Sequence, residues 1–130
     1  MHGLVIHSPI GETHGAAQSE TACGVGACRV AAWQMRPSSA FVAAIVARDE
    51  TPSSAPYTSI YSTTDSTAVA PTSVVVGGTN IAIQSLCPGR EVSHAGMLTD
   101  AVAYALVVDA LTHDGGADPE RFDASTCDVD

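Results

Sequence analysis

Two residues with complementary acid–base chemistry follow stretches that read as strands, and they are Asp65 and His94. A carboxylate fixes the tautomer of an imidazole and stabilises the imidazolium. The imidazole in turn takes the proton of an attacking hydroxyl. Each residue also has a plain alternative. Asp65, in Thr64-Asp65-Ser66, is an ordinary turn or cap residue, and a histidine in a glycine-containing loop is often structural. The third member of such a relay is not evident. No G-x-S-x-G nucleophile motif occurs. Gly11-Glu12-Thr13-His14-Gly15 imitates it with threonine at its centre, but no helix pattern follows. His2, His7 and His14 lack the carboxylate or cysteine spacing of a metal site, and His113 reads as a helix-end cap.

The elements that would position this pair are short. An apolar run at Ala31-Ala32-Trp33 suggests a helical turn, and Pro37 interrupts it. Ser38 or Ser39 can cap a helix over Ala40 to Arg48, with Phe41, Val42, Ile45 and Val46 on one face. Tyr57 to Ser62 is β-branched and aromatic, so it reads as a strand, with Asp65 just beyond its end. Val74 to Val76 fits a short strand or apolar loop filling. The alternation of Ile81, Ile83 and Leu86 reads as another strand over Thr79 to Leu86. Ser93-His94-Ala95-Gly96 is a loop. Thr99 then caps a helix from about Asp100 to Thr112, apolar almost all round and therefore expected between layers. Residues 1–30 read mostly as loop around Leu4-Val5-Ile6, and the tail after Gly115-Gly116 reads as irregular. Helix, strand, acidic loop, strand, histidine loop, helix is a β-α-β rhythm. It predicts an α/β fold with a few parallel strands and flanking helices.

Composition excludes several function classes. The chain has 130 residues, a net charge of −9 and no lysine, and its five arginines are scattered. Nucleic-acid binding and polybasic membrane attachment both need a basic footprint, which is absent. No apolar run reaches transmembrane length. Hydrophobic residues make up 45% and charged residues 15%. So low a charge content fits a chain that buries much of its surface, or one whose apolar faces belong against a further segment. The N-terminus has no signal-peptide pattern. The four cysteines, Cys23, Cys28, Cys87 and Cys127, fit two disulfides in any of three pairings; zinc is the rival reading, although the spacing is not C-x2-C. Disulfides imply an oxidising compartment, and with no leader in view this suggests that an N-terminal part of a longer protein is missing.

Several stretches carry a family resemblance. Cys28 to Gln34 with Arg36 to Phe41, Tyr57 to Asp65, Asn80 to Gly89, Val92 to Leu98 and Ser125-Thr126-Cys127 together resemble the C-terminal half of secreted α/β-hydrolase lipases, of the actinobacterial and fungal lipase B kind. The resemblance implies that residues 1–130 are the C-terminal segment of one such domain, a partial α/β-hydrolase fold lacking the N-terminal half with the nucleophile elbow. It implies that Asp65 and His94 are the acid and base of a Ser-Asp-His triad, that Cys87 pairs with Cys127 and Cys23 with Cys28, and that the helix near Asp100 to Thr112 borders the acyl or alcohol pocket. The implied activity is hydrolysis of carboxylic esters, acylglycerols among them, with no cofactor and no metal, in an extracellular protein. The implied partners are an ester or lipid substrate and a serine-bearing half. The pattern departs from the family at Ser66 to Pro71 and at Ser93, where the family carries acidic residues and a Val-Gln-Pro run. Without a nucleophile the chain alone is expected to be inactive and to expose a sheet edge. The alternative is a non-catalytic secreted binding or accessory module, which predicts Asp65 and His94 apart and a closed, polar surface, or a truncated pseudoenzyme.

Overall fold

A computed structural model describes residues 23–24, 26, 28–36, 38–47, 51 and 54–129. Thr13, the three N-terminal histidines, Leu4 to Ile6 and Arg48 lie outside the described residues.

The first described elements are two short helices. Helix α1 spans Val30–Gln34 and α2 spans Ala40–Val46. Ser39 couples them. Its hydroxyl accepts from the Val42 N–H at 3.0 Å, capping α2, and donates to the Gln34 carbonyl at 2.6 Å. Val42 is fully buried, but Phe41, placed on the same face by the sequence pattern, is 48% exposed. Trp33 is also exposed on one side, where the Arg36 guanidinium stacks 4.0 Å from its ring centre.

The sheet consists of β1, Thr58–Tyr61, and β2, Thr79–Ala82, paired in parallel with Ile60 opposite Ile81. The pleat sends Thr58 and Ile60 to one face and Ser59 and Tyr61 to the other. Ser59 donates to the Ser73 carbonyl in the 3-10 turn Ala70–Ser73. Thr58 accepts the Ala117 N–H at 3.1 Å on the opposite side. Thr58, Ser59 and Ile60 are all buried, whereas Asn80 on β2 is exposed, and with two strands in the sheet each keeps one edge without a ladder partner among the described residues. The segment Val74 to Val76 is loop. Both main-chain groups of Val75 bond the Asn80 side chain, closing the turn through Gly77, whose φ is +81°.

β2 is shorter than its apolar alternation suggests. After Ala82 the chain coils into α3, Ile83–Leu86, and Cys87 N–H closes the turn on the Ile83 carbonyl. Ile83 stays buried in the coiled form, so the apolar signal is met either way. Gln84, within this turn, reaches the Thr63 N–H, the Ser62 hydroxyl and the Arg90 carbonyl.

Helix α4 spans Ala101–Thr112. Its cap is Asp100, not Thr99: Asp100 Oδ1 accepts the Ala103 N–H at 2.8 Å. Its inner stripe of Val102, Ala103, Leu106 and Ala110 packs with Ile60, Ile81, Ile83, Cys87 and Val92 as the core. The helix is not enclosed on both sides, however. Tyr104, Val108 and Leu111 are exposed, Tyr104 at 71%. The all-round apolar composition therefore overstates its burial. His113 ends the helix, and its N–H donates to the Asp109 carbonyl at 3.2 Å.

The acidic tail is more ordered than its composition suggests. It makes two 3-10 turns, Pro119–Arg121 and Ala124–Asp128. Disulfides join Cys23 to Cys28 and Cys87 to Cys127, the second closing a loop of sequence separation 40.

Candidate active site

The acid loop leaves β1 at Tyr61. Its Asp65 carboxylate is nearly enclosed, with 5% of the side chain exposed. Oδ1 accepts two backbone N–H groups, from Thr67 at 2.7 Å and Ala68 at 2.9 Å. Oδ2 lies 2.9 Å from Nδ1 of His94. Burial pushes the Asp65 pKa upward, but the Ala68 N–H, the His94 imidazole and the Thr67 N–H together outweigh it, and the net shift is below the ordinary 3.8. Asp65 is therefore an anion at neutral pH. An anion at Oδ2 favours the tautomer with hydrogen on Nδ1, which leaves Nε2 as the basic nitrogen.

The imidazole sits in the turn before the 3-10 segment Gly96–Leu98. Ser93 builds that turn: its carbonyl accepts the Met97 N–H at 3.1 Å and its hydroxyl the Gly96 N–H at 3.2 Å. The His94 side chain is 57% exposed. A buried carboxylate behind an open imidazole can orient a base and leave it accessible to an incoming hydroxyl.

Residues that the sequence pattern did not single out tie the two loops together. Thr64 accepts the Val92 N–H at 2.9 Å and donates to the Val92 carbonyl at 3.2 Å. Gln84 Nε2 donates to Ser62 Oγ and to the Arg90 carbonyl, each at 2.9 Å, while its Oε1 accepts the Thr63 N–H at 2.8 Å. Arg90 donates Nε to Asp100 Oδ2 at 2.7 Å and its two terminal nitrogens to the Cys127 and Val129 carbonyls. The only hint in the sequence is polar residues beside buried apolar ones.

A shallow groove of about 160 Å³ lies beside the start of α4, lined by Met97, Leu98, Asp100, Ala103, Tyr104 and Val107. Neither Asp65 nor His94 lines it. A second polar cluster lies at the far end of α4. Asp109 is bridged twice by Arg121, at 2.8 and 2.7 Å, and it also accepts the Asp118 N–H and faces His113. These bonds, the Arg121 ones foremost, lower the Asp109 pKa. Among the described residues, no group of three metal-ligating side chains occurs and no helix is long and apolar enough to cross a membrane.

No protein-family model and no curated protein matches the sequence. Among solved structures, the crystal structure of Aspergillus fumigatus lipase B matches with a TM-score of 0.64 at 31% sequence identity. The match covers 77% of this chain and 27% of the lipase chain. The fold is lipase-like. The parallel pair β1 and β2 with α4 is compatible with part of an α/β fold. The chain spans about a quarter of the lipase it matches, so the activity of the whole lipase is not carried over by the likeness alone.

Proposed function

We propose that this chain is the C-terminal segment of a secreted lipase-like carboxylic-ester hydrolase, in which Asp65 and His94 are the acid and base of a Ser-Asp-His relay. The observation that carries this reading is the 2.9 Å contact between Nδ1 of His94 and Oδ2 of an almost fully buried Asp65. The alternative of a non-catalytic accessory module predicts these residues apart, and the contact speaks against it. The likeness to a lipase supports the same reading, and the two disulfides are compatible with an extracellular location.

In this reading the reaction is acyl transfer to and from a serine. A serine hydroxyl outside this sequence gives its proton to His94 Nε2 as its oxygen bonds to the ester carbonyl carbon. Asp65 holds the resulting imidazolium. Nε2 then returns the proton to the leaving alcohol oxygen, and water repeats the cycle on the acyl-enzyme. No cofactor enters. The apolar residues around α4 suit an ester of an aliphatic acid, acylglycerols included.

Nitrogen-15 NMR of the histidines tests the relay directly. Wild-type His94 is expected to carry its neutral-form hydrogen on Nδ1, and Asp65→Asn to lose that preference. A wild-type His94 without it would sink the assignment. The purified chain is expected to show no ester turnover. Turnover by the chain alone would overturn the placement of the nucleophile elsewhere.

A further inference from the structure

We infer that Thr64 is a positioning residue that sets the His94 turn against Asp65, with Ser62 and Gln84 fixing the direction of its hydroxyl. The inference rests on the relay reading above and adds to it what holds the two loops in register.

Asp65 and His94 lie on separate loops, 29 residues apart in sequence. A hydrogen bond as short as theirs needs the loops fixed to within a few tenths of an ångström. β1 and β2 end at Tyr61 and Ala82, so no ladder reaches either residue. Thr64 replaces the ladder. Its single hydroxyl takes both main-chain groups of Val92, two residues before His94, as a neighbouring strand would. Thr64, itself exposed, immediately precedes Asp65, and its hydroxyl reaches the main chain of the buried Val92.

One arrangement of the hydroxyl hydrogens satisfies every short contact at once. In it the Thr64 hydrogen lies on the Val92 carbonyl, and Thr64 accepts at the 2.9 Å contact with Ser62, where either oxygen can donate. Ser62 therefore donates to Thr64 and accepts from the Thr64 N–H at 3.1 Å and from Gln84 Nε2. Gln84 has its remaining Nε2 hydrogen on the Arg90 carbonyl and its Oε1 under the Thr63 N–H. Rotating the amide by half a turn would set donors against donors at Thr63. Every member is satisfied, and each fixes the next. Thr64 is exposed and lies outside the core, so valine there keeps the shape and opens no core cavity.

The test compares Thr64→Val, which keeps the shape and removes the hydroxyl, with Thr64→Ser, which restores it. Thr64→Val is expected to lose the Nδ1–H preference of His94 and the protection of that hydrogen from solvent exchange, while amide signals of α4 stay in place. Thr64→Ser is expected to recover both. Wild-type behaviour in Thr64→Val overturns the positioning role but leaves the relay standing. Absence of the preference in the wild type counts against the relay itself. Should Thr64→Val not fold, Gln84→Glu carries the test, because the glutamate cannot donate to Ser62 or to the Arg90 carbonyl. An unchanged His94 there overturns the proposal.

Discussion

Arg90 Nε lies 2.7 Å from Asp100 Oδ2, and the other oxygen of the same carboxylate caps α4. One buried aspartate thus starts the helix and anchors the strap that leads from Cys87 to the histidine turn. Asp100→Ala is expected to destabilise the fold by on the order of 3 kcal/mol, above the ~1 kcal/mol of a simple cap, because it also strips a partly buried arginine of its partner. Urea unfolding would check this. A loss below about 1 kcal/mol would mean that the pair contributes nothing beyond the cap.

Acid should weaken the fold through two aspartates. Asp65 and Asp109 both have folded pKa values below the ordinary 3.8. A depressed carboxyl stabilises the folded state above its unfolded pKa, and that stability disappears as pH falls through the folded value. The unfolding midpoint should therefore drop between about pH 5 and pH 2. Asp65→Asn and Asp109→Asn should each flatten that slope, and an unchanged slope in both would contradict the assignment.

Breaking the Cys87–Cys127 link by Cys87→Ser with Cys127→Ser should cost about 2–5 kcal/mol, since it closes a long loop. Thermal unfolding with and without reductant would show this, because the double variant should be nearly insensitive to reductant there.

Gly116 has φ +88°, and a Cβ on it would stand 2.8 Å from Thr58 Oγ1. Gly116→Ala should lose about 2 kcal/mol from the left-handed backbone and the displaced Thr58 contact. Leu106→Ala, in the fully packed stripe of α4, should lose about 2–5 kcal/mol. Near-neutral unfolding energies in either variant would show that α4 and its exit turn are less tightly held than described.

The elements with strong local signals were legible in the sequence. Thr58–Tyr61 carries two β-branched residues and a tyrosine, Ser39 is a capping residue ahead of an apolar run, and α4 is long and apolar. Their types followed from residue preference alone. What the sequence hid was set by contacts between distant residues. Ile81, Ile83 and Leu86 read as a strand, but the chain turns helical at Ile83, where Gln84 bonds Ser62, Thr63 and Arg90, partners that no local pattern shows. Thr99 and Asp100 can both cap, and Arg90 selects Asp100. Phe41 shares a pattern with Val42, but only Val42 is covered. The dyad residues stood out as an acid and an imidazole after strands. Thr64, whose partner Val92 is 28 positions away, carried no local signal.

The Cys87–Cys127 bond makes residues 87–127 a closed covalent circle. His94, Arg90, Asp100 and all of α4 lie on that circle, and Asp65, Thr64 and Gln84 lie outside it. The acid and the base therefore belong to topologically separate parts of one chain. A single nick in the exposed Ser66-Thr67 stretch would leave them on two molecules held by packing and hydrogen bonds alone. The dyad could then serve as a reporter of reassembly, its Nδ1 hydrogen returning only when the linear piece and the circular piece find each other.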